Sequence, residues 1–141
     1  MTVVDASIAV KWIVAESGSV EALKLLSTDE QLFAPELLRV EVASAITRKF
    51  RNNQLNSDET KDALRLWHQA LARNVVELSH DTGDLDEASE LSIQLKHPLQ
   101  DCLYLALARR LNARFVTADE TLHRRALDLF PSSILLRDMT V

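Results

Sequence analysis

Cysteine occurs once, at Cys102, so the chain has no internal disulfide and no multi-cysteine zinc site. Glycine and proline are scarce too, two and three among 141 residues. That excludes a glycine-rich phosphate loop and a Pro/Gly-rich linker. Charges interrupt every apolar run well before membrane-spanning length, and no basic stretch precedes the first apolar residues. Neither a membrane span nor a signal peptide is expected, and the default is a cytoplasmic protein. The four histidines, His68, His80, His97 and His123, are scattered, with no helical pair at a spacing of four. His80 stands beside Asp81, which is too little for a zinc site. His97, just before Pro98, reads as a turn residue.

A basic surplus is also missing. Sixteen Lys and Arg face 21 Asp and Glu, for a net charge of −5. Taken alone this speaks against nucleic acid, whose binders usually carry excess positive charge. The objection weakens if several carboxylates hold metal, because they are then neutralised locally. Charge alone decides nothing.

What the chain does have is a hydrophobic fraction of 47%, enough for a real core in one domain spanning residues 1–141. Thr2 to Val4 reads as a short strand ending at Asp5, and Ile8 to Val14 as an apolar helix with Ser7 as a plausible cap. After a break at Ser17 to Ser19, Val20 to Ser27 resumes a helix, and Leu32 to Ala34 suits a second strand. Pro35 fits the first turn of a long helix to about Phe50, and a further helix runs from Ser57 to about Arg73. Val75 to Leu78 is strand-like. Asp84 to Leu95 carries Leu85, Ala88, Leu91 and Leu95 at helical spacing. Leu99 to Leu111 is the most apolar helix, with Asn112 at its C′ position. Arg114 to Thr117 is a strand, Glu120 to Leu129 a helix, and Ile134 to Leu136 a last strand. Short apolar strands without a period of two, alternating with helices, indicate a three-layer α/β domain with a central parallel sheet flanked by helices.

Four carboxylates stand where solvation explains them poorly. Asp5 closes the first strand, at the kind of crevice where parallel sheets bind ligands, although it equally suits a helix cap. Glu41 falls about 40° from Leu37 on a helical wheel, inside the apolar arc that also holds Leu38, Val42, Ala45 and Ile46. A carboxylate there needs a cation, hydrogen bonds or a raised pKa, or else it snorkels out to a salt bridge. Asp101 is the only carboxylate on the apolar helix, where the dipole alone could account for it. Asp119 follows the strand ending at Thr117 and also suits a cap. The combination carries the signal: like charges drawn together resist folding unless a cation joins them. Oxygen-only ligands suit Mg²⁺ or Mn²⁺, and such a cluster can activate water against a phosphodiester.

Four stretches resemble PIN-domain proteins: Val4-Asp5-Ala6-Ser7, then Ala34-Pro35-Glu36 leading to Val40-Glu41-Val42-Ala43. The others are His97-Pro98-Leu99-Gln100-Asp101 running into Tyr104-Leu105-Ala106-Leu107-Ala108, and Val116-Thr117-Ala118-Asp119. They span nearly the whole chain and look most like the toxin component of VapBC toxin–antitoxin pairs. The resemblance implies a PIN-like fold and an endoribonuclease that uses Mg²⁺ or Mn²⁺. Asp5, Glu41, Asp101 and Asp119 would form its acidic metal site, with Ser7 and Thr117 orienting a carboxylate or a water. It further implies a homodimer silenced by a small antitoxin. Apart from the resemblance, Lys11 and Arg39 are candidate phosphate contacts, and a solvated surface explains them equally. Arg48, Lys49 and Arg51 form a basic helix end that the dipole explains. Two rival readings remain. One is a metal-dependent phosphatase or phosphotransferase of another α/β fold, disfavoured because Ser7 stands where a second acid is usual. The other is a non-catalytic PIN-like binding module.

Overall fold

The computed structural model describes residues 1–139, Asp81 by its backbone alone; the last two residues of the expected domain, Thr140 and Val141, lie outside the described residues. In chain order the elements are β1 (Thr2–Val4), α1 (Ala6–Ile13), α2 (Ser19–Leu26), β2 (Leu32–Pro35), α3 (Leu37–Arg51) and α4 (Ser57–Ala72). They continue with β3 (Glu77–Ser79), α5 (Leu85–Leu95), α6 (Leu99–Leu111), β4 (Arg114–Thr117), α7 (Glu120–Ala126) and β5 (Ser133–Leu135). Short 3-10 turns occupy Asp81–Gly83 and Leu136–Asp138.

All strand pairs are parallel, and the sheet order is β3-β2-β1-β4-β5. From β1 the chain winds outward through β2 to β3, crosses back to β4 and winds outward again to β5. Right-handed crossovers therefore put α1 to α4 over one face and α5 to α7 over the other. The packing agrees: α1 touches α2 and α3, and α3 touches α4, while α5 packs on α6 and α6 lies across β1, β2 and β4. One buried cluster runs through every layer, from Val3, Ile8 and Leu38 to Leu105, Phe115 and Leu122. The expected three-layer α/β architecture with a central parallel sheet is present. Among the described residues, no helix is long and apolar enough to cross a membrane.

Local departures from the expected elements have identifiable causes. Pro35 closes β2 and does not open α3. It pairs only with β3, opposite Ser79, since the β1 ladder has already ended at Phe33. A missing N–H is tolerated at such a position. The third strand starts later than Val75 because Asn74 adopts positive φ and the Val75 amide bonds back to the Ala70 carbonyl, completing the exit from α4. Helix α7 ends at Ala126, short of Leu129, and Ala126 accepts the amides of Leu129 and Phe130 in turning the chain. Helix α1 starts two residues earlier than the Ser7 cap required, with Asp5 as its cap.

Candidate active site

The reversal of winding between β1 and β4 leaves a crevice at their carboxyl ends, the position where open parallel sheets bind ligands. Register sets what meets there. Val4 pairs with Val116, so Asp5 and Thr117 follow side by side. Thr117 donates to Asp5 Oδ2 at 2.5 Å, and Ser7 donates to Oδ1 at 2.5 Å. The Ile8 amide adds a longer bond of 3.3 Å to Oδ1. The two hydroxyls are fixed in turn, since Ser7 Oγ accepts from the Ala118 amide and Thr117 Oγ1 from the Asp119 amide. Asp5 is thus both helix cap and crevice residue, because its two oxygens serve different donors. Asp119 likewise caps α7 through Oδ1, which accepts from the Leu122 amide at 3.0 Å.

Asp5 is buried, and burial pushes its carboxyl up to about 6; the Ser7 and Thr117 hydroxyls pull it down, and the charge of Asp101 pushes it up again. Glu41 comes from α3 and receives the phenol of Tyr104 on Oε1 at 2.6 Å. Burial lifts the Tyr104 hydroxyl far above its ordinary range, and Glu41, then Asp5 and Asp101, add to it. One phenol therefore senses three of the four acids. Asp119 lines the same cleft as Ser7 and Glu41.

Asp101, in the first turn of α6, accepts from His97 at Oδ2 over 2.7 Å. His97 is buried and not a bare turn residue. Cys102 beside it is a core thiol pushed up to about 11, chiefly by burial and then by Asp101, so it offers no nucleophile near neutral pH.

The cleft beside the acids has a volume of about 640 Å³. Lys11 lines it, together with Arg48 and Lys49, which the helix dipole had seemed to explain. Arg39 does not line it; its side chain is exposed, and its carbonyl accepts the indole N–H of buried Trp67. Glu16 bridges Lys11 at 3.0 Å and Lys49 at 2.6 Å. Burial pushes the Glu16 carboxyl up, but the two ammonium groups together hold it below its usual value. Tyr104, His97, Arg48 and Lys49 were not marked as site residues from sequence. Only His97 left a trace there, an i, i+4 spacing to Asp101.

The donor set consists of carboxylate oxygens and hydroxyls, which suits a hard divalent cation. Among the described residues, no three of His, Cys, Asp and Glu form a ready-made metal cage. Mg²⁺ asks for none, since it keeps several waters and takes one or two carboxylates directly. The residues fit such an ion.

Comparison with known proteins gives a consistent picture. A family model described as PIN domain matches residues 2–127. The chain is 28% identical over 134 residues to ribonuclease VapC3 of Pyrobaculum aerophilum, covering 94% of this chain and 96% of that protein. It is 32% identical over 120 residues to ribonuclease VapC9 of Mycobacterium tuberculosis, covering 84% and 86%. A solved toxin–antitoxin complex from Klebsiella pneumoniae shares the fold, with a TM-score of 0.66 at 15% identity, covering 99% of this chain and all of that one.

Proposed function

The chain belongs to the PIN-domain family, and we propose that it is a divalent-metal-dependent endoribonuclease, the toxin of a toxin–antitoxin pair. The observation that carries this reading is Asp5, a buried carboxylate at the switch point of the sheet, held ready by two hydroxyls and facing the charge of Asp101. The ribonuclease relatives support RNA as the substrate.

Asp5, Glu41, Asp101 and Asp119 would hold Mg²⁺ or Mn²⁺. The chemistry such an ion supplies when bound is activation of a water and compensation of charge at the phosphodiester. The chain's own residues do the rest. Ser7 and Thr117 lock the rotamer of Asp5, and Tyr104 directs Glu41. Lys11, Arg48 and Lys49 offer positive charge along the cleft for the RNA backbone. This answers the net charge of −5: the acids gather at the ion, and the cations line the approach.

The direct test is degradation of RNA by purified protein in Mg²⁺ or Mn²⁺. Cleavage should occur with the ion and stop in EDTA; equal degradation in both would sink the metal reading. The complex from Klebsiella supports a small antitoxin as partner, and exposed Val20, Leu23 and Leu26 on α2 give an apolar surface for it or for a second copy. We take the working form to be a cytoplasmic homodimer, which light scattering of the purified protein reads directly as twice the chain mass.

The cleft gives a second expected result. Binding of uncleaved single-stranded RNA, followed by fluorescence anisotropy in EDTA, should depend on salt. Arg48→Ala should flatten the slope of log K against log salt by about 0.7, one released counterion on a single strand. Glu16→Gln should strengthen binding, because Lys11 and Lys49 then face phosphate without an internal competitor. An unchanged slope together with unchanged affinity would remove the cleft from the RNA path.

A further inference from the structure

Three elements meet at His97. It sits between α5 and α6, and its ring is 5% exposed. Its backbone is clamped: the amide donates to the Ser92 carbonyl, and its own carbonyl accepts from the Ser92 hydroxyl at 2.6 Å. On one side of the ring, Nε2 lies 2.7 Å from Asp101 Oδ2. On the other, Nδ1 lies 3.0 Å from Nη1 of Arg125, which also donates to the Lys96 carbonyl at 3.1 Å. Arg125 stands in the last turn of α7, the helix that Asp119 caps.

A guanidinium only donates. Nδ1 is therefore the acceptor toward Arg125, and the N–H that faces Asp101 is on Nε2. Which ring nitrogen carries the proton is set by the bond the other one makes. Asp101 consequently receives a directed N–H at Oδ2. No described residue donates to Oδ1, which leaves that oxygen for the ion or its water.

Resting on the metal site proposed above, we infer that His97, with its tautomer fixed by Arg125, is a positioning residue for Asp101. It holds the carboxylate rotamer that presents Oδ1 to the cation. Arg125 acts through the ring and couples the turn before α6 to α7, so the arrangement ties Asp101 to the helix of Asp119. Partners that orient a ligand in this way typically carry a factor of about 10–100 in metal affinity.

The experiment has two readouts beside activity. The first is the ¹⁵N NMR signature of His97 in the wild-type protein in EDTA, where the Nε2–H tautomer is expected and the Nδ1–H tautomer would overturn the inference. The second is Mn²⁺ affinity, titrated by electron paramagnetic resonance on folded protein. His97→Leu should bind Mn²⁺ about 10–100 times more weakly, and His97→Gln, which can restore an N–H to Asp101, should recover most of the loss. Arg125→Met, at an exposed position that tolerates change, should lose affinity in the same direction and disturb the tautomer. It also carries the test if His97→Leu does not fold. If His97→Leu or Arg125→Met melts lower yet binds Mn²⁺ as the wild type does, the contact is structural only and the inference fails. Asp101→Asn separates the two layers. Weak binding in Asp101→Asn beside unchanged binding in both His97→Leu and Arg125→Met overturns this inference and leaves the nuclease reading standing. Wild type that takes up no Mn²⁺ overturns both.

Discussion

Asp101→Asn is expected to lower RNA cleavage in Mg²⁺ by roughly a factor of 10² or more, with the fold intact. Two effects act together. The substitution removes a charge from a site that depends on carboxylates, and it inverts a polarity. The donor at His97 Nε2 requires an acceptor, so the new amide must turn its oxygen toward the ring. Its NH₂ group then faces the position where a ligand oxygen is needed, and a donor there repels a cation. Glu41→Gln removes a charge without that conflict, because the Tyr104 hydroxyl that donates to Oε1 can also accept from an amide. The check is the initial rate on a defined RNA, with circular dichroism to establish folding. Residual cleavage within a few-fold of wild type would remove Asp101 from the machinery.

Much of this site was legible because its acids sit where the chain has few other uses for them. Asp5 directly follows β1 and Asp119 stands two residues past the end of β4, and a parallel sheet gathers strand ends at one edge, so their proximity follows from alternation alone. Glu41 betrayed itself by interrupting an apolar arc, and the structure supplies the reason in the Tyr104 phenol. The cap reading of Asp5 and Asp119 is met, and it does not exclude the ligand reading. A carboxylate has two oxygens, and each residue caps its helix with one of them.

The parts that were not legible depend on long-range contact. Arg125 lies 28 residues from His97, and nothing local distinguishes it from Arg124. Lys49 looks like an ordinary basic helix end until Glu16 is seen to hold it across the cleft. Pro35 misled for a similar reason. Local rules favour proline both at a helix start and at a strand end, and only the ladder shows that β2 has lost one partner by that point. Arg39 does not line the cleft, although its neighbours Val40 and Glu41 do, since one residue of helical rotation is about 100°.

Asp5→Asn should stabilise the metal-free protein at neutral pH while removing cleavage. The folded-state pKa of Asp5 is about 6 against an ordinary value of 3.8, raised first by burial. The sign follows from proton counts. Below pH 4 the group is protonated in both states and costs nothing. Between about 4 and 6 the unfolded chain releases its proton first, so stability falls as pH rises; above 6 the whole penalty is present. A rise of that size corresponds to roughly 3 kcal/mol, an upper figure because the buried site can relax. Asparagine caps a helix as well as aspartate does, so the cap to Ile8 is kept while the buried charge goes. In EDTA at pH 7 the variant should melt several degrees higher than wild type, and the gap should close as pH falls toward 4. Mn²⁺ should reverse the order. It stabilises wild type by mass action, about 2.7 kcal/mol at a hundred times Kd, and the variant less. Differential scanning fluorimetry across pH 4 to 8, with and without Mn²⁺, reads both effects. If Asp5→Asn melts lower at every pH and Mn²⁺ moves neither protein, Asp5 is a cap and nothing more. The strand-end carboxylates would then have a structural explanation, and the catalytic reading of the crevice would fall with them.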